Sequence, residues 1–352
     1  MRRSVSRIAQ SLLLVLVLLF VVQIRPARAA GTMYIRADGT VEPPTAPINR
    51  NTDVYTLTAD ISASIMVDKS NVVIDGNGFT VQGDGTGSGF LLNGISGVTI
   101  KNTVIRGFDY GIYLESTSYN TVCFNEITAN DLDGIGLRDS VNNRISWNKI
   151  SANNWFGIGV YYSSGNSFDG NNITGNYDGI GLYDSSNNVL LANKIVANTH
   201  YGLGLYGSSS NLMLHNNFEN NARQIFTEYY INAWDNGYPN GGNFWSDFLG
   251  VDFFSGPYQN VSDADNIGDT PYVLDDNNKD RYPLMKPFGE VRLAPDLNGD
   301  GKINILDISL VGSAFGSTPS HVRWNPKCDI DGNGIINIID VTLVAKDFGK
   351  SF

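Results

Sequence analysis

Cysteine and histidine are nearly absent from this sequence, with two cysteines and three histidines in 352 residues. Cys123 and Cys328 cannot make a disulfide framework, and we expect two free thiols because they fall in different predicted domains. His200, His215 and His321 form no paired motif, and the methionines form no cluster. This argues against a copper site, which needs several imidazole or sulfur ligands that converge.

Basic residues are also scarce once the first 29 residues are set aside. That segment has a basic start, an apolar run from Ser11 to Ile24 and an Ala27-Arg28-Ala29 cleavage motif, so it is predicted to be a signal peptide; an uncleaved membrane anchor is the alternative. It holds five of the 24 basic residues and none of the 35 acidic ones, which leaves a net charge near −16. Such a surface repels nucleic acid and anionic lipid and suits divalent cations or neutral glycans.

The middle of the chain repeats a short unit. Five glycines open successive copies of a G-I/L step at intervals of 23, 23, 22 and 23 residues: Gly111, Gly134, Gly157, Gly179 and Gly202. Within a unit the apolar residues alternate in short runs that end in Asn, Ser or Gly, which indicates three strands and three turns. The sequence therefore predicts a mainly β fold, a right-handed parallel β-helix of seven or eight coils of about 23 residues.

Asparagines recur at two positions of the unit. One column contains Asn125, Asn148, Asn171, Asn193 and Asn216, and the other contains Asn120, Asn143, Asn166, Asn188 and Asn211. We expect buried ladders in which each amide bonds the same amide one coil away, with Asn adopting the left-handed backbone that a sharp turn needs.

Alternation also predicts an aromatic face. If Ile135 and Leu137 point inward, the residue after each leucine points outward, which gives a column of Glu115, Arg138, Tyr161, Tyr183 and Tyr206. With Trp155 and Tyr177 beside it, this strip could hold sugar rings, so Arg138 and the five aromatic residues are predicted to bind glycan. The alternative is a tyrosine ladder that only stabilises the strands.

Catalytic residues are not identified by any motif. Asp133 with Asp178, or Asp139 with Asp184, lie two coils apart, near 9.6 Å by the strand spacing, which is at the limit for a pair of hydrolytic carboxylates. These four aspartates are the candidates for a lyase or hydrolase.

Beyond Phe226 the period stops and aromatic residues crowd together, which predicts a cap on the β-helix. The repeats, "NVVIDGNGFTV" from Asn71 and "WDNGYPNGGNFWSDF" from Trp234 resemble the NosD-type β-helix family, part of a wider group of carbohydrate-binding proteins and sugar hydrolases. The resemblance covers roughly residues 53 to 288 and implies the fold, but this fold carries binding proteins and enzymes alike.

Two calcium-loop patterns end the chain, "DLNGDGKINILD" from residue 296 and "DIDGNGIINIID" from residue 329. Calcium binds six to eight hard oxygens at spaced loop positions, with glycine at the sixth. The predicted ligands are side-chain oxygens, with a backbone carbonyl at position 7: Asp296, Asn298, Asp300, Lys302, Asn304 and Asp307 in one loop, and Asp329, Asp331, Asn333, Ile335, Asn337 and Asp340 in the other.

A helix is predicted after each loop but not before it, since Pro295 precedes the first loop. The tandem resembles a type I dockerin, a small all-α domain, and the resemblance implies two calcium ions and a cohesin-like partner. Ile305, Leu306, Ile338 and Ile339 stand where many dockerins offer a small hydroxylated pair to the cohesin, so these four are the predicted partner contacts.

The predicted domains are a signal peptide (1–29), an N-terminal extension (30–52), the β-helix (53–226), its cap (227–288), a linker (289–295) and the dockerin-like module (296–352). The predicted function is that of a secreted or cell-surface protein that binds polysaccharide or glycan and docks to a cohesin. No nucleic acid is expected as a partner, and a membrane only through an uncleaved signal segment. The alternatives are a polysaccharide lyase or glycoside hydrolase, and a structural adhesion protein.

Overall fold

A computed structural model describes residues 31–289, 297–298, 302–319, 321–330, 334–346 and 348–349. The predicted signal peptide and most of the predicted linker lie outside these residues. Internal contacts divide the chain into two units. The first holds the described residues up to Leu212 together with Phe218–Ala233 and Leu274–Asn278, and the second holds Met213–Asn217, Trp234–Val273 and the described residues from Lys279 onward. Within the described ranges, no helix is long and apolar enough to cross a membrane.

The first unit is a parallel β-helix with three sheets, which confirms the predicted fold. In its first sheet the strands follow one another in space as Val41–Glu42, Met33–Ile35, Ile65–Val67, Ser88–Asn93, Tyr110–Glu115, Ile135–Arg138, Phe156–Tyr161, Asp178–Tyr183, Tyr201–Tyr206 and Arg223–Phe226. The pair at the start is antiparallel and the rest are parallel. The sheet thus stacks one strand of each coil on the equivalent strand of the next.

The other two sheets repeat this arrangement with strands of three or four residues. The second runs through Ile48–Asn51, Val54–Leu57, Val73–Asp75, Thr99–Lys101, Thr121–Cys123, Arg144–Ser146, Ser167–Asp169 and Val189–Leu191. The third runs through Thr80–Gln82, Val104–Arg106, Glu126–Thr128, Lys149–Ser151, Asn172–Thr174 and Lys194–Val196. Residues 33–51, predicted as an extension, form strands that pair with the first coils.

The remaining strands are Leu212–Leu214, Asn217–Glu219, Phe244–Trp245, Phe254–Ser255, Val261–Ser262, Tyr272–Val273 and Lys279–Asp280. The second unit packs Trp234 against Trp245, both buried, with ring centroids 5.9 Å apart. It also contains helix α1 (Ile305–Ala314), a short 3₁₀ helix (Pro326–Cys328) and helix α2 (Ile338–Lys346). Cys123 and Cys328 are free thiols, as predicted.

The predicted asparagine ladders line the interior of the coils. The side-chain oxygen Oδ1 of Asn148 accepts both the backbone N–H and the side-chain Nδ2–H of Asn125, each at 3.0 Å. The Asn148 Nδ2 in turn donates to the Val122 carbonyl at 2.9 Å and to Asn171 Oδ1 at 3.0 Å. Each ladder therefore satisfies buried backbone and amide groups at the turns, which would otherwise be costly to bury.

The predicted backbone of these asparagines is wrong. The left-handed residue is the one before the ladder position, such as Phe124 (φ 57°) before Asn125 and Trp147 (φ 57°) before Asn148. The side chain that faces inward needs ordinary backbone geometry, so the strained turn falls on its neighbour. Two further ladders were not predicted. They contain Asn130, Asn153, Asn176, Asn198 and Asn221, and Thr117, Ser140, Ser163, Ser185 and Ser208.

Candidate functional site

The predicted tyrosine column lies on the outer side of the first sheet. Arg138 pairs in register with Tyr161, Tyr161 with Tyr183, and Tyr183 with Tyr206. The rings stack, with centroids 5.4 Å apart between Tyr161 and Tyr183 and 4.3 Å apart between Tyr183 and Tyr206. Arg138 stands one coil before the stack and lies 3.7 Å from Asp139. The stack therefore presents a row of ring edges along several coils.

These three tyrosines are half-buried rather than fully exposed, because a column of glycines runs beside them. A Cβ atom on Gly159 would stand 2.9 Å from the Tyr161 ring, and one on Gly204 would stand 2.7 Å from the Tyr206 ring. Rings of this column fold down over the bare backbone of the glycines. Alternation correctly predicts that these tyrosines point outward. Because the neighbouring glycines have no side chains, the rings lie against the backbone and stay half-buried.

A second aromatic stack runs parallel to the first, at the turn that leads into the same strands. Trp155 lies flat on Tyr177, with centroids 5.1 Å apart and 5° between the ring planes, and Tyr177 stacks on His200 at 4.8 Å. Tyr177 is 38% exposed, and the other two are half-buried. Trp155 and Tyr177 were predicted as glycan contacts, and His200 was not among the predicted site residues. The repeat spacing could have identified His200, since positions 155, 177 and 200 are equivalent in successive coils.

Two of the four candidate aspartates are buried between the stacks. Asp133, 1% exposed, accepts the Phe156 N–H at 3.3 Å and the Tyr161 hydroxyl at 3.2 Å. Burial raises the pKa of Asp133 to about 7, although both hydrogen bonds oppose the rise. The same burial and the Asp133 carboxylate keep the pKa of Tyr161 well above its usual value, so its hydroxyl stays protonated.

Asp178, 2% exposed, occupies the equivalent place two coils further on. Its Oδ1 accepts the Tyr201 N–H at 2.7 Å and lies 3.0 Å from Nδ1 of His200. Burial raises its pKa, while the bond from Tyr201 and the nearby imidazole oppose the rise. Neither buried carboxylate can reach a substrate directly, so each acts on the side chain that it holds.

The other two candidates are surface groups. Asp139 and Asp184 are exposed and occupy left-handed turn positions, at φ 48° and 46°. The structure thus separates the four aspartates into a buried pair, each bonded to a ring, and an exposed pair at the turns.

The predicted calcium loops are described in part. Asp296, Asp300, Asp331 and Asn333 lie outside the described residues. The two position-12 carboxylates are fully buried, and each closes its own loop. Asp307 accepts the N–H groups of Leu297 at 2.8 Å and Asn304 at 2.8 Å, and Asp340 accepts those of Ile330 at 2.7 Å and Asn337 at 2.8 Å.

The described positions 1, 6 and 7 of the second loop, Asp329, Gly334 and Ile335, fit a calcium ion. Gly334 has φ 79°, the left-handed turn that position 6 requires, and its N–H donates to Asp329 Oδ2 at 2.9 Å. The Ile335 carbonyl follows at position 7, and carboxylate and amide oxygens make up the rest of the donor set. Such hard oxygen donors are those that calcium binds.

The two halves of this domain are joined by a pair of equivalent backbone hydrogen bonds. The Gly349 N–H donates to the Ile303 carbonyl at 2.8 Å, and the Gly316 N–H donates to the Ile336 carbonyl at 2.7 Å. Both bonds join the end of one helix to the loop of the other half, and they are related by a shift of 33 residues. The domain is therefore an internal repeat in which each half donates a hydrogen bond to the loop of the other.

The four predicted partner contacts start the two helices. Ile305, Leu306, Ile338 and Ile339 are between 50% and 65% exposed. In each half the capping asparagine and the position-12 aspartate bond the first turn of the helix, so these apolar residues follow a fixed turn. They form two exposed apolar pairs at equivalent places in the repeat.

Comparison with known families agrees with this division. Residues 88–241 match the family described as the right handed beta helix region, and residues 294–349 match the dockerin type I domain. The chain therefore carries a right-handed β-helix and a type I dockerin. Dockerins of this type bind calcium and dock to cohesins, which implies both for this domain. The narrower NosD-type resemblance stays a prediction. No curated protein sequence matches the chain.

Solved structures with a similar fold include the periplasmic alginate epimerase AlgG, with 20% identity, a TM-score of 0.46, and 52% of this chain and 47% of that chain covered. The A-module of the Azotobacter vinelandii mannuronan C-5 epimerase AlgE4 has 16% identity, a TM-score of 0.38 and coverage of 50% and 60%. Pectate lyase Pel9A has 13% identity, a TM-score of 0.38 and coverage of 60% and 66%. The chain spans about half the length of AlgG. These likenesses concern the fold alone.

Proposed function

We propose that the protein is an extracellular glycan-binding β-helix that a calcium-loaded dockerin attaches to a cohesin-bearing protein. The observation that supports the first part is the pair of aromatic stacks, one on the outer side of the first sheet and one at the turn that leads into its strands. The exposed edges of the stacked rings form apolar strips that can contact the C–H groups of sugars, and Asp139 and Asp184 at the adjacent turns offer acceptors for sugar hydroxyls. The net negative charge of the chain opposes an anionic glycan except where a basic side chain on this face, such as Arg138, offsets it locally.

Trp155 and Tyr177 are the contacts that we expect to matter most. Tyr177 is exposed and its ring stacks on Trp155, so the outer edges of the two rings form one continuous apolar strip. The half-buried tyrosines of the other stack add ring edges and hold the strands together. Arg138, in register with Tyr161, extends the tyrosine stack by a charged group on the preceding coil.

Binding to insoluble polysaccharide tests this part of the proposal. An aromatic contact is worth about 0.5–1.5 kcal/mol, so replacing both Trp155 and Tyr177 by Ala should weaken binding roughly tenfold. Tyr119→Ala is the matched control, since Tyr119 is 68% exposed but lies at a different turn. Equal retention of the double variant and the parent would leave the stacks with a strand-stabilising role only.

The docking part rests on the dockerin match and on the exposed isoleucine and leucine pairs. We propose that each loop holds one calcium ion through the predicted ligands, and that the apolar pairs contact the cohesin. Calcium, when bound, supplies the positive charge that offsets repulsion among the loop carboxylates. Capture of a cohesin that calcium permits and chelator abolishes is the expected result. Capture that is unchanged by Ile305→Ser with Leu306→Ser and by Ile338→Ser with Ile339→Ser would rule out these contacts.

A further inference from the structure

His200 lies in the second aromatic stack with one ring nitrogen held by a buried carboxylate. Its Nδ1 lies 3.0 Å from Asp178 Oδ1, and that carboxylate is 2% exposed and anchored by the Tyr201 N–H. In the neutral tautomer that donates its Nδ1–H to the ionised carboxylate, Nε2 presents a lone pair. The imidazole side chain is 37% exposed, which leaves it open to a bound molecule.

Two rings fix the plane of this imidazole. Tyr177 stacks on it at 4.8 Å with 30° between the planes, and Tyr201 lies 3.8 Å away at 49°. A histidine with a buried acid at one nitrogen and rings on two sides has a defined direction for its other nitrogen. This is the arrangement by which a general base is oriented in many enzymes.

A cation stands one coil further along. Arg223 is exposed, its backbone N–H donates to the His200 carbonyl at 2.9 Å, and its Nη1 lies 3.4 Å from the Tyr201 hydroxyl. Its guanidinium carbon lies 5.9 Å from the centre of the Tyr201 ring. A guanidinium can bind a carboxylate through two parallel hydrogen bonds. The face therefore places a base and a carboxylate-binding group on neighbouring coils.

We propose that His200 is the general base of a β-elimination on uronate-containing polysaccharide, with Arg223 binding the uronate carboxylate and Asp178 positioning the imidazole. This deepens the proposed glycan binding and rests on it. A proton on the carbon next to a carboxylate is the most acidic C–H of a sugar chain. Its removal builds negative charge on the carboxylate oxygens, where Arg223 would stabilise it.

The step balances within the substrate, His200 and water. Nε2 takes the proton from C5, and the C–H electron pair becomes the second bond between C4 and C5. The C4–O bond breaks, and the departing oxygen takes a proton from water. The imidazolium returns its proton to the hydroxide that remains. One glycosidic bond is replaced by an unsaturated end and a new hydroxyl end, with no oxidant or reductant.

The full-length protein with calcium is incubated with four probes: oligogalacturonate, alginate, hyaluronan and glucuronan. Ultraviolet absorption by the new double bond reports elimination, and pull-down with the same polymers reports binding. We expect unsaturated product from at least one probe. His200→Ala should lower the rate on the order of 100-fold or more while binding is kept. His321→Ala, which removes an exposed histidine of the dockerin, is the control and should keep the rate.

Asp178→Asn separates positioning from folding. The amide oxygen can still accept the Tyr201 N–H, so the coil keeps its bond, but the imidazole loses its anionic partner. We expect kcat to fall roughly tenfold or more with little change in KM. Binding to a probe without any unsaturated product would overturn the base assignment and leave glycan binding intact. Absence of binding to all four probes and, in the same pull-down, to the neutral polysaccharide cellulose would overturn the proposed function itself. Elimination unchanged in His200→Ala would refute the role of this residue.

Discussion

One pair of neighbouring residues allows the buried ladder to be tested against the surface beside it. Asn171 is fully buried, while Asn172, the next residue, is exposed at the start of a strand. Asn171 Oδ1 accepts the N–H and Nδ2–H of Asn148, each at 3.0 Å. Its Nδ2 donates to the Ile145 carbonyl at 2.8 Å and to Asn193 Oδ1 at 3.0 Å. Asn171→Ala removes all four bonds.

The expected cost follows from these bonds. A net contribution of about 1 kcal/mol for each gives a loss of roughly 4 kcal/mol. The Asn148 N–H is then left buried with no acceptor from this ladder, which adds to the loss unless water enters. Asn172→Ala should cost about 0.5 kcal/mol or less, since its backbone N–H still donates to the Asn148 carbonyl.

Urea unfolding at saturating calcium, followed by far-UV circular dichroism, measures the difference. The midpoint for Asn171→Ala should fall well below that of the parent at a similar slope, and the midpoint for Asn172→Ala should hardly move. If both substitutions shift the midpoint equally, the ladder does not contribute the stability that its hydrogen bonds indicate.

Three further outcomes are expected. Ile173→Asp should unfold its coil, because burying an unpaired carboxylate costs several kcal/mol, whereas Lys149→Ala on the outer side should leave urea unfolding nearly unchanged; equal sensitivity would contradict the register. Asp307→Ala with Asp340→Ala should abolish the rise in helix signal on adding calcium and capture of a cohesin, and a dockerin equally helical in chelator would contradict the calcium requirement. Burial raises the pKa of Asp133 to about 7, so the folded state holds a proton that the unfolded state has lost above about pH 4; stability should therefore fall as pH rises from about 4 to 7, and Asp133→Asn should flatten that slope in unfolding measured across pH.

The repeat made most of the β-helix predictable from the sequence. The spacing of Gly134 and Gly157 places equivalent residues side by side, and the registers of the tyrosine column and of the two asparagine ladders follow from it. The αL position was not predictable from residue preference, because Trp147 and Phe124 occupy it although bulky residues disfavour it. The inward position of the following asparagine, set by four or five hydrogen bonds, outweighs the local preference.

The site was less predictable than the fold because alternation gives direction and not exposure. Alternation from the inward Ile135 would point Asp133 into the core, yet its carboxylate lies beside Gly159 on the outer side, where the Tyr161 ring covers it to 1% exposure. The pairing of Asp178 with His200 has a similar origin. The two residues belong to neighbouring columns of the repeat, one residue out of register, so their pairing does not follow from the repeat alone. The turn brings the imidazole over the carboxylate.

Both domains use an internal repeat to satisfy buried polar groups, and they do so in different ways. In the β-helix, the side-chain oxygen of Asn148 accepts a backbone N–H from the coil before it. The backbone N–H of Asn148 donates to the side-chain oxygen of Asn171 in the coil after it, so each coil depends on its successor. In the dockerin, the bonds from Gly316 and Gly349 run in both directions, so neither half satisfies its loop carbonyl alone. A ladder can be lengthened by adding coils, since each new coil brings the donors and acceptors that the last one lacked. A reciprocal pair cannot be lengthened in this way, because its two halves already satisfy each other, so this bonding pattern suits a domain of two loops and the ladder suits a stack of many coils.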